Sequence, residues 1–276
     1  MALDWTDRAL ATAAPPALPP PKLLFGLSID SLRMDQALDR CRLALHTRDP
    51  LLIGVLNAAK IVNQRRDPML RQALLDCHLL LADGQSVVWA SRLLGRPLPE
   101  RIAGIDLFAE LLELAHRQHH SIYLLGARPD VLAALERTIA ERWPGLRLAG
   151  SHDGYFSDTE SPEIAAAIRA SGADMLFLGM ASPKKEIFLR RFQHQLDVPV
   201  LHGVGGSFDV LAGITKRAPL GWQRLGLEWA YRLVQEPRRM WKRYLVTNSA
   251  FIALTLAEVF HPTPALQPAV AARPAL

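Results

Sequence analysis

In the stretch LLLADGQSVVWASRLLG, residues 79–95, an apolar run gives way to helical spacing, and the carboxylate of Asp83 falls at the junction. A carboxylate there can act as a general base on an attacking hydroxyl. It can equally cap the helix that starts near Gln85. Other apolar runs end in similar residues: Asn57, Gly126, Asp153-Gly154-Tyr155, Gly179, and Gly203 through Gly206. Singly, each is ordinary turn chemistry; together they describe one rim with polar groups and close backbone. GVGGSFDV lacks the G-x-G-x-x-G spacing of a dinucleotide fingerprint, yet it could cradle a phosphate at a helix start. No Walker A loop or G-x-S-x-G elbow is present, and no Asp-x-Asp pair offers to hold a divalent ion on a diphosphate. The HRQHH group, His116, His119 and His120, reads as a solvated helix end, so no metal is expected.

The elements that must carry these residues follow from the patterning. KLLFGLSI, LLIGVLN, CHLLLADG, SIYLLGA, LRLAGSHDGY, DMLFLGM and VPVLHGVGG are short continuous apolar runs, as expected of strands covered on both faces. Between them lie helical patterns such as IDLFAELLELAHRQ and PKKEIFLRRFQHQL. The alternation predicts an α/β fold, a Rossmann-like and mostly parallel sheet with helices on both faces. Ligands bind such sheets beyond the carboxyl ends of the strands, which is where the rim lies.

Of 276 residues, 50% are hydrophobic and 21% charged, enough apolar content for a large core. Cys41 and Cys77 have no metal or disulfide spacing, which favours a reducing compartment. The net charge of +5 points to an anionic partner. Residues 1–22 read as a flexible Ala/Pro-rich leader, 23–218 as the α/β core, 219–260 as a basic helical appendage and 261–276 as a disordered tail. The appendage concentrates Arg224, Arg232, Arg238, Arg239, Lys242 and Arg243, opposed by Glu228 and Glu236, and holds three of the six Trp. Arg239, Lys242 and Arg243 share one helical face. FIALTLAEVF is too short to span a bilayer, whereas a basic, Trp-rich amphipathic segment suits a membrane surface; a helical pair packed on the core with a solvated basic face is the alternative.

NAAKIV, LADGQSVVWASRLLGRPLPERIAGIDLF, IYLLGARPDV, HDGYF, ADMLFLGMASPKKEIF, GVGGSFDVLAGITKRAP and LGLEWAYRLVQEPRR follow in order the motifs of a known family. Over roughly residues 23–247 the chain resembles the WecG/TagA/CpsF glycosyltransferases, glycosyltransferase family 26. The resemblance implies inverting transfer of a hexose-type sugar from a UDP-sugar to a polyprenyl-diphosphate-linked saccharide at the cytoplasmic membrane face, in cell-surface or exopolysaccharide synthesis. UDP-glucose, UDP-N-acetylmannosamine and its uronic acid are the donors it implies. Asp83 takes the place of the family's proposed general base. Arg101, Arg232 and Arg239 match positions thought to face substrate phosphates, although Arg101 could instead pair with Glu100 or Asp106. Pro183, Lys185, Glu186, Phe208 and Asp209 join the candidate substrate-binding set. The chain departs from the family's usual PKQE, with Lys185 in place of an amide, and has Val55 where some members carry Thr; both bear on donor identity.

No cofactor or nucleic acid is expected, and homo-oligomerisation is left open. Two rival readings are a Rossmann-type oxidoreductase, which lacks its fingerprint, and a non-enzymatic scaffold docked on anionic lipid through residues 219–260.

Overall fold

A computed structural model describes residues 18–267 except Leu225. The chain opens on a hairpin, β1 (Lys22–Leu24) and β2 (Leu27–Ile29), followed by α1 (Met34–Thr47). The first half of the main sheet and its helices are β3 (Leu51–Leu56), α2 (Ala58–Asn63), α3 (Pro68–Leu75), β4 (Leu79–Ala82), α4 (Gln85–Leu93), α5 (Gly104–Gln118) and β5 (Ser121–Gly126). The second half is α6 (Pro129–Arg142), β6 (Arg147–His152), α7 (Ser161–Ser171), β7 (Met175–Gly179), α8 (Lys184–Leu196), β8 (Val200–Gly203) and α9 (Ser207–Leu211). Three more helices close the chain: α10 (Leu220–Arg224), α11 (Glu228–Gln235) and α12 (Pro237–Phe260).

The main sheet has six parallel strands in the order β4-β3-β8-β7-β5-β6. Every residue of β3, β4, β5 and β8 is buried, which is why these runs are continuously apolar rather than alternating. Successive side chains still go to opposite faces. Leu52, Leu80, Leu125, Leu176 and Leu201 pack with residues of α2, α3, α7 and α8. Ile53, Leu81, Leu124, Phe177 and Val200 pack with residues of α1, α5 and α6. The α/β prediction therefore holds.

KLLFGLSI, in contrast, is two strands rather than one. Phe25 and Gly26 turn the chain with φ of 53° and 78°, the doubly positive geometry of a tight hairpin turn. The apolar content that suggested a continuous strand is there because Leu24, Phe25, Leu27 and Ile29 are all buried.

Residues 219–260 are helical, as expected, but they do not form a unit separate from the core. Thr247, Phe251, Thr255 and Glu258 are buried on one side of α12, with Ala250 and Leu254 packed between them. The Phe251 ring lies 5.6 Å from that of Phe25, and the Phe25 amide donates to Glu258 Oε1 at 3.2 Å. Nor is the whole of 261–276 a loose tail. Thr263 Oγ1 donates to Glu258 Oε2, and the Leu266 amide donates to the Gly26 carbonyl at 2.8 Å. Thr247, Phe251, Thr255 and Glu258 recur at helical spacing, so this part of 219–260 follows the alternative of helices packed on the core. Residues 1–17 of the leader and 268–276 of the tail lie outside the described residues.

The opposite side of α12 exposes Trp241, Leu245, Ile252, Leu256 and Phe260, with exposed Arg238 and Lys242 at its amino-terminal end. Among the described residues no helix is long and apolar enough to cross a membrane.

Candidate functional site

The carboxyl ends of the strands are stitched into one rim. The amides of Asp83 and Gly84 donate to the Leu56 carbonyl, joining the ends of β4 and β3. Those of Val204 and Gly205 donate to Leu178, joining β8 to β7. Asn57 caps α2, its Oδ1 accepting the Lys60 amide at 3.1 Å.

Asp83 caps a helix, but not the expected one. The residue before α4 is Gly84, and α4 has no side-chain cap. Asp83 Oδ1 instead accepts the amide of Gly104, the first residue of α5, at 2.9 Å. The Ile102 amide donates to Ala82, so segment 101–104 is laid along the end of β4. Buried His202 donates from Nε2 to the Gly104 carbonyl at 3.2 Å, so Gly104 is held through both its N–H and its C=O. Burial lowers the imidazole pKa to about 4, outweighing that bond, and His202 is neutral near pH 7.

Beneath the rim lies a compact charged cluster. Lys60 Nζ is 3.1 Å and Lys185 Nζ 3.2 Å from the same Glu186 oxygen, and Lys60 also donates to the Val55 carbonyl. All three side chains are nearly enclosed. Burial pushes Glu186 up, but Lys60 and Lys185 together hold it below the usual carboxylate range. Burial and the neighbouring Lys60 bring Lys185 down to about 8, while Glu186 and Asp83 act in the other direction. Two ammonium groups on one carboxylate leave surplus positive charge beside Asp83. The Lys185 chain lies under Gly203, and a Cβ added there would come 3.0 Å from its Cδ.

Arg101 flanks the rim. Its guanidinium pairs with Glu228 of α11 and, at 3.8 Å, with Asp106. Arg217 reaches the same two carboxylates at 2.6 Å (Asp106) and 3.4 Å (Glu228).

The remaining expected residues divide by environment. Gly126 has a φ of +131°, and a Cβ on it would come 2.6 Å from the Gly179 backbone. A Cβ on Gly179 would come 2.3 Å from the Phe208 ring. Both glycines are therefore close-packing positions. Phe208, expected to bind substrate, is fully buried between Gly179 and Phe108; its apolar ring belongs to the core and shapes the rim from below. Asp153 turns its own loop, accepting the Tyr155 amide at 2.7 Å, and Tyr155 stands 74% exposed above it. Lys184 ties that loop to α8 by donating to the Gly154 and Phe156 carbonyls. Pro183 precedes α8 after a cis peptide, and its carbonyl accepts the Ile187 amide. Gly205 and Gly206 lead into α9, where the Asp209 carbonyl accepts from Ile214 and Thr215. Arg232 on α11 and Arg238 and Lys242 on α12 are exposed. Arg239 and Arg243 lie on α12, with side chains outside the described set.

The sequence named Asp106 as a partner of Arg101 and Glu228 as an acid of the appendage, whereas Lys60, Gly104, His202 and Arg217 were not singled out. His202 was visible as a lone polar residue in the apolar run VPVLHG, and Lys60 as the cation three positions after Asn57. The pairing of Glu228 with Arg101 and Arg217 gave no signal, because these partners lie outside its helix.

Taken together, these features are those of an open parallel α/β protein with a candidate ligand site at the carboxyl ends of its strands. One oriented carboxylate, a buried surplus of positive charge and close backbone suit acid–base chemistry next to an anion. The profile of the Glycosyl transferase WecG/TagA/CpsF family matches residues 22–264, and the chain belongs to that family. It is 39% identical over 180 residues to a Bacillus spizizenii protein, covering 65% of this chain and 69% of that one. The relative is named N-acetylglucosaminyldiphosphoundecaprenol N-acetyl-beta-D-mannosaminyltransferase. The chain is thus a glycosyltransferase by family, as its motifs predicted.

Proposed function

We propose that the protein transfers a hexose-type sugar from a UDP-sugar to a polyprenyl-diphosphate-linked saccharide, with inversion, in the assembly of a cell-surface polysaccharide. The observation that carries this reading is Asp83, a single carboxylate oriented by the Gly104 amide at the strand rim beside the Lys60–Lys185–Glu186 cluster. In the proposed step an acceptor hydroxyl attacks the anomeric carbon and passes its proton to Asp83. The new carbon–oxygen bond forms as the bond to the UDP oxygen breaks, and the departing diphosphate carries the negative charge. That charge would be met by Lys185, Arg101 and the backbone of Gly203 through Gly206. Among the described residues no group of three or more His, Cys, Asp or Glu is arranged to hold a metal ion, and we propose transfer without one.

The relative supports N-acetylmannosamine as the first sugar to test and an N-acetylglucosaminyl lipid diphosphate as the first acceptor. Lys185 and Val55 are where the donor contacts of this chain are expected to differ. The exposed Trp241, Leu245, Arg238 and Lys242 support attachment at an anionic cytoplasmic membrane surface, and Arg232, Arg239 and Arg243 are proposed to serve the acceptor diphosphate. A matrix of UDP-sugars against short-chain polyprenyl-diphosphate saccharides, read by product mass, tests the proposal. Absence of product throughout, with no thermal stabilisation by UDP, would refute it.

A further inference from the structure

Arg101, Arg217, Asp106 and Glu228 form a closed ring of two guanidinium groups and two carboxylates at the edge of the rim. Three members belong to segments packed on the α/β core, whereas Glu228 opens α11. That helix is weakly held, since none of its residues is buried. Among the described residues its ties include the ring contacts of Tyr231 with Trp222 and of Trp229 with Tyr244, and a 3.3 Å bond from Gln235 to the Lys216 carbonyl. The Glu228 carboxylate thus bridges two arginines, one oxygen to each, as the oxygens of a phosphoryl group can. Arg217 Nη2 is buried without a hydrogen-bond partner, so the pair retains an unused donor. The Arg101 side chain is only 14% exposed and that of Glu228 26%, which leaves the pair partly shielded from water but within reach of it. The segment that carries Arg101 also fastens Asp83, through the Gly104 amide.

We propose that Arg101 and Arg217 are an oxyanion-binding pair whose ligand position the Glu228 carboxylate fills, and that an incoming diphosphate displaces Glu228 and frees α11. The role as a diphosphate site rests on the transferase reading above. The exchange puts a more highly charged anion on the same two cations, which favours displacement of the singly charged carboxylate. It would link occupancy of the rim to the position of the helices that carry Arg232, Arg238 and Lys242.

The test measures binding of inorganic pyrophosphate to the full-length protein by calorimetry, together with amide hydrogen exchange across 228–235. Glu228→Gln should bind pyrophosphate about fivefold more tightly, the factor expected for removing a partly exposed competing charge. In the wild type, pyrophosphate should speed exchange in α11; in Glu228→Gln, exchange should start fast and not respond. Glu228→Asp, which keeps the charge on a shorter arm, should fall between the two and controls for a general loosening of the helix. Equal pyrophosphate affinity in wild type and Glu228→Gln, no binding to either, or α11 exchange indifferent to pyrophosphate would overturn the proposal and leave the ring a static strut. Parallel titrations with UDP and farnesyl diphosphate tell whose diphosphate benefits from the substitution. If pyrophosphate obeys these expectations while UDP does not bind, the donor reading fails and the arginine pair stands. If UDP binds and pyrophosphate is blind to Glu228, the reverse holds.

Discussion

Replacing Asp83 by Asn separates its two roles. The amide oxygen of Asn can accept the Gly104 N–H where Oδ1 now sits at 2.9 Å, so the tie to α5 survives. Loss of stability should stay below about 1 kcal/mol, the scale of a retained neutral hydrogen bond against a charge-assisted one. The proton acceptor is lost outright, and turnover should fall about 10²- to 10⁴-fold, or about 2.7–5.4 kcal/mol of barrier. Asp83→Ala removes both functions and adds the cost of an empty helix cap, about 0.5–2 kcal/mol. It should therefore lower the melting temperature by several degrees while matching Asn in turnover. The assay is single-turnover transfer from saturating UDP-sugar, run beside UDP titration and thermal melts. Near-wild-type turnover in Asp83→Asn would refute the reasoning. So would loss of UDP binding together with melting temperature, which would make the tie to Gly104 the whole of its role.

Truncation after residue 218 removes Phe251 and Glu258 from the core, and loss of a buried Phe alone costs about 3–5 kcal/mol. The shortened chain should show a much lower urea midpoint than the intact one; an unchanged midpoint would mean that α12 contributes nothing. Lys185 is pulled from 10.5 to about 8, so between those values the unfolded chain holds the extra proton and stability should rise with pH, the penalty being fully present below pH 8. Melting curves of Lys185→Met should lack that rise, and UDP affinity of the wild type should fall as pH passes 8. Transfer should survive EDTA; loss on chelation with recovery in Mg²⁺ or Mn²⁺ would contradict the metal-free proposal. Charge reversal at Arg238 and Lys242 should weaken binding to anionic vesicles in a salt-sensitive way, at about 1 kcal/mol per residue.

The sheet was legible because strands buried on both faces must be continuously apolar, and the rim because such strands end in Asn, Asp and Gly. What stayed hidden depended on distant partners. Nothing near Asp83 in sequence says that it caps α5 rather than α4, since that follows from residues 101–104 lying along β4. Phe208 sits in a motif rich in loop residues, yet its ring fills the hollow that Gly179 leaves. Lys60 pairs with Glu186 across α2 and α8, a contact that spacing within either helix cannot disclose. The packing of α12 was hidden for the same reason, because the partner of Phe251 is Phe25 in the opening hairpin.

The strand order has a consequence for how the chain acquires its site. During synthesis β3 can pair only with β4, and β5, β6 and β7 can assemble separately, because β8, which lies between β3 and β7, emerges after them. Until β8 slots in, there are two half-sheets with unpaired inner edges, and Asp83 stands on one while Gly179 stands on the other. Such long-range closure is slow and leaves sheet edges open to wrong partners meanwhile. Fragments ending before Val200 should therefore be prone to aggregate and unable to bind a nucleotide sugar, even when they contain Asn57, Asp83 and Arg101.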